Sequence, residues 1–169
     1  MLNHQAFIKI GLAGILCLCL MMAGCQKPKN PDSSSETSET VIELKPKLDI
    51  SRLLKASEVS ELLKEEMIEP QVGENGSLLM IQNAEYTTTV QLSVEESTEE
   101  EFDSKTEAYT NLVEAPNIGK KALWSAEYSE LLVLTDKYAV SVVLQVEEQS
   151  AERRLIYARY LAALALERL

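Results

Sequence analysis

The chain has 169 residues, a quarter of them charged, with 27 Asp and Glu against 16 Lys and Arg and a formal charge of −11. That balance excludes the basic footprint of a nucleic-acid binder and opposes an anionic membrane surface. One His and three Cys leave few catalytic nucleophiles or metal ligands to work with.

In chain order, residues 1–24 read as a leader. Lys9 and the terminal amine make a thin positive start, and Ile10 to Met22 is an apolar core of 13 residues ending in small side chains. Such a core is too short to span about 30 Å of hydrocarbon, which needs roughly 20 apolar residues. The stretch Met22-Ala23-Gly24-Cys25 closes it. It resembles the lipobox of bacterial lipoproteins, where an apolar residue, a small residue and Gly or Ala precede a cysteine; Met22 stands where Leu is commoner. The resemblance implies cleavage between Gly24 and Cys25 and a diacylglyceryl-type anchor, with palmitate-class chains, on the Cys25 sulfur. It also implies a place at the extracytoplasmic face of the cell membrane. Each buried CH₂ contributes about 0.8 kcal/mol, so two chains anchor stably where one would not.

Cleavage would simplify the remaining chemistry. His4, Cys17 and Cys19 leave with the leader, so Cys25 is the one cysteine of the mature chain and its sulfur is occupied. No disulfide, no Ser-His-Asp or Cys-His catalysis and no zinc site built on His or Cys is then expected. With Lys9 gone, 15 Lys and Arg face 27 Asp and Glu, a side-chain charge of −12.

Residues 25–47 carry the lipidated cysteine and then Pro28, Pro31, Pro46 and the run Ser33-Ser34-Ser35, with hardly an apolar residue before Val41. This composition predicts a disordered tether, with a reach of roughly 25 Å.

A single α+β domain is expected over 48–169, a length that builds one core but hardly two. Ser57 and Glu58 suit a helix start, with Val59, Leu62, Leu63 and Met67 on one face; Pro70, Gly73 and Gly76 then make a loop. A strand over Leu78 to Ile81 follows, then a turn at Gln82 to Glu85. From Tyr86 onward, Thr88, Val90, Leu92 and Val94 alternate with polar residues, the period of a half-buried strand. Thr98-Glu99-Glu100-Glu101 is a capping-box pattern; Phe102, Tyr109, Leu112 and Val113 share the helix face that Pro116 ends. Strands are predicted at Lys121 to Ala126, Glu130 to Thr135 and Tyr138 to Glu147, the last with Val140, Val142, Leu144 and Val146 inward. A closing helix near Ser150 lays a stripe of Ala151, Leu155, Ala158, Ala162, Ala165 and Leu169 on the sheet. The order is α-β-β-α-β-β-β-α: an antiparallel sheet of about five strands with helices on one face.

Ile118-Gly119-Lys120-Lys121-Ala122-Leu123-Trp124, with Leu131-Leu132-Val133-Leu134 and the Tyr138 to Val146 strand after it, resembles a pattern in small bacterial lipoproteins with a PsbP-like α+β domain. The Leu54 to Leu63 segment is similar to the helix that opens those domains. The resemblance implies this fold and an anchored, non-catalytic accessory role, and brings no catalytic residues.

The candidate sites each have a plain structural reading. Glu95, Glu96, Glu99, Glu100, Glu101 and Asp103 are the densest carboxylate cluster. They lack the paired separations of a glycosidase and the spaced ligands and bending Gly of a calcium loop, and they suit a helix first turn. Gly119-Lys120-Lys121 lacks a P-loop frame and reads as a turn glycine with Lys heads in water. Trp124 and Tyr128 could stack on a sugar or a peptide, with a core position the simpler reading for Trp124. Tyr157 and Tyr160 read as rim residues of the last helix. No catalytic residue, metal or cofactor is expected. The expectation is therefore an anchored binding or accessory module. The alternatives are a carboxylate-only hydrolase of envelope polymers and a structural component of an envelope complex using an open sheet edge.

Overall fold

The computed structural model describes residues 48–169. The leader, Met22-Ala23-Gly24-Cys25 and the tether over 25–47 lie outside the described residues. Among the described residues, no helix is long and apolar enough to cross a membrane.

The domain opens with a 3₁₀ turn (Ile50–Arg52), where the Asp49 carboxylate accepts from the Ser51 N–H at 3.2 Å and hydroxyl at 2.6 Å. Helix α1 (Ala56–Leu63) begins earlier than its hydroxyl suggested. Lys55 is the N-cap, Ser57 lies inside the helix, and the Glu58 carboxylate accepts from the Lys55 N–H at 3.0 Å. The helix stops at Leu63 because Lys64 turns left-handed at φ 60°. Met67 therefore leaves the helix face it was assigned to and bridges Asn83 beside the sheet.

The sheet has seven antiparallel strands rather than about five. They are β1 (Gln71–Val72), β2 (Leu78–Gln82), β3 (Thr88–Glu96), β4 (Val113–Glu114), β5 (Lys121–Ser125), β6 (Glu130–Leu134) and β7 (Tyr138–Val146), in spatial order β1-β2-β3-β7-β6-β5-β4. The two unexpected strands, β1 and β4, are two residues long, too short to show an alternation, and they form the edges. Both edges are blunt. Pro70 precedes β1 and Pro116 follows β4 within two residues, removing donors that another strand would need. The centre is the nine-residue pairing of β3 with β7, from Thr88 opposite Val146 to Glu96 opposite Tyr138.

Helix α2 (Glu99–Thr106) is shorter than the pattern Phe102, Tyr109, Leu112, Val113 implied. It ends because the Thr106 hydroxyl donates back to the Asp103 carbonyl at 2.8 Å, and the left-handed Asn111 turns the chain into β4. Tyr109 then sits in the connecting turn, and Val113 joins β4 with 57% of its surface exposed.

Helix α3 (Ala151–Leu166) starts at Ser150, whose hydroxyl accepts from the Arg153 N–H at 3.3 Å. Ala158, Ala162 and Ala165 are fully buried, as the stripe requires, and Leu161 joins them; Ala151, Leu155 and Leu169 are half-buried at its margins. Small side chains let the helix lie close on the sheet.

The helices divide between the two faces, which corrects the one-sided arrangement expected. On the first face, Leu79, Ile81, Leu92, Val142 and Leu144 pack under α3, the Val59 side of α1 and Ile50. Strand β6 explains the correction: Leu131 and Val133 point into that core while Leu132 and Leu134 point the opposite way. A strand apolar on both faces needs cover on both, and Phe102 of α2 supplies it against Leu132, Leu134 and Ala139.

Candidate functional site

Among the described residues, the second face is covered by α2 at its β5–β6–β7 end only. Side chains opposite one another in an antiparallel ladder share a face, so the register defines what remains uncovered. One row runs Gln71, Met80, Gln91, Val143 and Glu130 across β1, β2, β3, β7 and β6. Beside it lie Leu78, Ser93 and Ser141 on one side and Gln82, Thr89 and Gln145 on the other. Leu78, Met80, Gln91, Ser93 and Val143 are all partly exposed, whereas Leu79, Ile81, Val90, Leu92, Val142 and Leu144 on the other face of the same strands are at most 1% exposed. From Gln71 to Val143, and out to Ser93 and Gln145, no position on this face carries a charge.

A polar and aromatic group closes the row. The Glu130 carboxylate accepts from the Ser141 hydroxyl at 2.5 Å and from the Tyr109 phenol at 2.8 Å. Burial first, and then the Glu130 carboxylate, push the Tyr109 phenol up to about 12. The Tyr109 ring meets Tyr128 edge to face, with centroids 5.5 Å apart, and Tyr128 remains 52% exposed. The group pins the segment after α2 to the sheet and stands at the border between its covered and uncovered halves. Glu130, Tyr109 and Ser141 were not singled out from the sequence. The available signal was parity: Glu130 alternates in step with Leu132 and Leu134, an isolated carboxylate on an otherwise apolar row.

The other candidates resolve into structural roles. Glu101 accepts from the Thr98 N–H at 2.8 Å, while Thr98 Oγ1 accepts from the Glu101 N–H at 3.3 Å, completing the capping box; the Thr98 donors hold the Glu101 carboxyl below its ordinary range. Glu95 pairs with Lys105 at 2.6 Å, Glu96 with Lys137 at 3.4 Å and Asp103 with Lys121 at 2.7 Å. Glu99 and Glu100 stay in the exposed first turn. Among the described residues, no three His, Cys, Asp or Glu side chains are grouped to hold a metal. Gly119 is a turn glycine at φ +61°, but its neighbouring lysines are paired: Lys120 with Asp136 at 2.5 Å, and Lys121 as above. Trp124 is core at 3% exposure, so Trp124 and Tyr128 do not form one platform. Tyr157 is half-buried and Tyr160 exposed on α3.

Among the described residues, the hollows on the helical side include two with charged linings. One of about 520 Å³ between α1 and α3 is lined by Glu58, Glu61, Leu62, Lys64, Tyr160 and Leu164. Another, of about 640 Å³, lies where the domain's two ends meet, with Leu48, Asp49, Arg52 and Arg168 among its lining. The Glu58 carboxylate in the first is already engaged: it accepts from Arg168 Nη1 at 2.8 Å and pairs with Nη2, and this guanidinium holds it below the usual range.

Among the described residues, fold and site together define an α+β domain whose antiparallel sheet is covered on one face and half bare on the other. Compared with family models, curated proteins and solved structures, the chain finds no match.

Proposed function

We propose that the protein is a membrane-anchored bacterial lipoprotein of the extracytoplasmic face, carrying a non-catalytic binding module that presents the bare half of its sheet to a partner. The anchoring part rests on Met22-Ala23-Gly24-Cys25. The binding part rests on a single observation, the unequal cover of the two sheet faces. A face with partly exposed Leu78, Met80 and Val143 between polar side chains offers burial without first disrupting the fold. The kinship with PsbP-like domains is proposed on the segment Ile118-Gly119-Lys120-Lys121-Ala122-Leu123-Trp124 and on the α+β class. The carboxylate hydrolase is less favoured because Glu95, Glu101 and Asp103 already serve the helix cap and lysine pairs. The edge-pairing structural role is less favoured because both edges are two residues long and flanked by proline.

The experiment is site-specific photocrosslinking of the lipidated protein in its own membrane. A crosslinker replacing Gln91 should capture a partner that one replacing Glu152, on exposed α3 across the molecule, does not. Cys25→Ala should abolish acylation and release the protein from the detergent phase. Equal capture from both positions would defeat the binding-face reading; unchanged partitioning of the Cys25→Ala variant would defeat the anchor.

A further inference from the structure

We infer that the uncovered face of β1, β2, β3 and β7 binds an uncharged glycan strand laid across the strands from Gln71 towards Tyr128. The inference rests on the reading of that face as the binding surface and names the chemical class it takes.

Charge is the first argument. A quarter of the chain's residues are charged, yet from β1 to β7 the three rows through Ser93, Gln91 and Thr89 contain amides, hydroxyls and aliphatic groups only; the next row holds Glu95, whose carboxylate is paired with Lys105 of α2 at 2.6 Å. A polyanion would meet the field of a strongly acidic chain with no free cation in these three rows to offset it, and the carboxylates that border them are engaged, Glu95 by Lys105 and Glu130 by Tyr109 and Ser141. A neutral ligand loses nothing on either count.

Hydrogen bonding is the second. Gln71, Gln91 and Gln145 each offer an amide that donates and accepts, which matches the paired hydroxyls of a sugar ring. Among the described residues, none of these three amides has a side-chain hydrogen-bond partner, whereas Gln82 Nε2 donates to Thr89 Oγ1 at 3.3 Å. Met80 and Val143 lie in the same row as partly exposed apolar contacts for the C–H face of a ring. Tyr128 stands exposed beyond the row, its edge braced by Tyr109.

Geometry favours a glycan over a peptide. From Gln71 to Val143 the row crosses three strand gaps, about 14 Å, and a fourth to Glu130 makes about 19 Å, room for a short oligosaccharide. An extended peptide gains most of its affinity from a sheet edge, and here both edges are blunt. Laid across the face instead, its backbone groups would find no ladder partner.

The test uses the lipidated full-length mature chain in neutral vesicles, titrated calorimetrically with the hexamers of N-acetylglucosamine and of glucose as neutral probes and polygalacturonate as an anionic one. A neutral hexamer should bind, the anionic polymer should not, and Gln91→Glu and Tyr128→Ala should each weaken the neutral hexamer about tenfold or more. Both positions are partly or well exposed, so thermal melts should stay close to wild type and separate lost binding from lost folding. Absence of binding to both neutral hexamers, an unchanged affinity in Gln91→Glu, or preference for polygalacturonate would overturn the glycan assignment. The crosslinker at Gln91 then decides how far the failure reaches. Capture of a polypeptide keeps the face as a binding surface and removes the glycan; no capture beyond that at Glu152 removes both.

Discussion

Phe102→Ala tests whether α2 holds the second face by a single side chain. Phe102 is 1% exposed against Leu132, Leu134 and Ala139, and the only other buried residue of α2 is Thr106. Truncating a buried Phe to Ala costs about 3–5 kcal/mol through lost transfer energy and an unfilled cavity. An eight-residue helix has no independent stability in water, so α2 should detach rather than settle into the gap. The lost burial of its neighbours then places the cost near the upper end, about 4 kcal/mol. A described domain of residues 48–169 has a total stability of about 6–18 kcal/mol, so the variant should still fold. Urea unfolding with a slope of about 2 kcal/mol/M should show the midpoint lowered by about 2 M. Hydrogen exchange should show α2 amides at solvent-like rates, while β3 and β7 amides lose protection only by the global amount. A stability loss below about 1 kcal/mol, or α2 amides still protected, would refute the claim that this ring is the anchor.

Other perturbations follow from the same geometry. Tyr109 stays protonated to about 12 when folded but ionises near 10 when unfolded, so stability should fall as pH rises through that window. Because the phenol is only half-buried, the decline should be on the order of 1 kcal/mol, and Tyr109→Phe should remove it in melts taken from pH 9 to 12. Glu58 is depressed by Arg168, so its contribution is present above the ordinary Glu value of about 4.3 and is lost as pH falls through the folded value. Arg168→Ala should cost about 1–2 kcal/mol at pH 7 and flatten the acid limb of the melting profile; a limb unchanged in slope would exclude the pair as its source. Gly119→Ala should destabilise by more than the roughly 1 kcal/mol of a left-handed alanine, because its Cβ would lie 2.5 Å from the Leu134 carbonyl oxygen; a wild-type melting temperature would contradict this. Converting Glu99, Glu100 and Glu101 together to Gln should lower stability slightly through the α2 cap and leave partner capture from position 91 intact.

Long elements with a steady period were readable. β3, β5, β6 and β7 fall within two residues of their expected bounds, and α3 starts at its expected cap but stops at Leu166, three residues before the stripe's Leu169; an alternating row of Val and Leu, or a hydroxyl cap before a small-residue stripe, is a strong local signal. Thr98 and Glu101 declare their capping box outright. Features set by partners distant in sequence were not readable. β1 and β4 exist because Gln71 and Val72 find Met80 and Leu79, and Val113 and Glu114 find Trp124 and Leu123. The position of α2 depends on β6 being apolar on both faces, which the run Leu131-Leu132-Val133-Leu134 displays without saying what lies above each row. The bare face was legible in part: polar Gln91 and Ser93 marked a wet side of β3, but its joining to Gln71, Met80 and Val143 needed the register.

The meeting of the domain's two ends has a mechanical consequence. Leu48 and Arg168 line one hollow, and Arg168 grips the Leu53 carbonyl at 2.9 Å as well as Glu58. A load applied between the entering chain and the C-terminus would fall first on this one guanidinium, leaving the long β3–β7 ladder unstressed. The domain should therefore open from that corner under low force and keep its sheet. The same proximity makes residues 48 and 169 natural points to splice: a short linker between them should give a permuted chain that folds, with new ends cut at the Glu147–Glu148 turn.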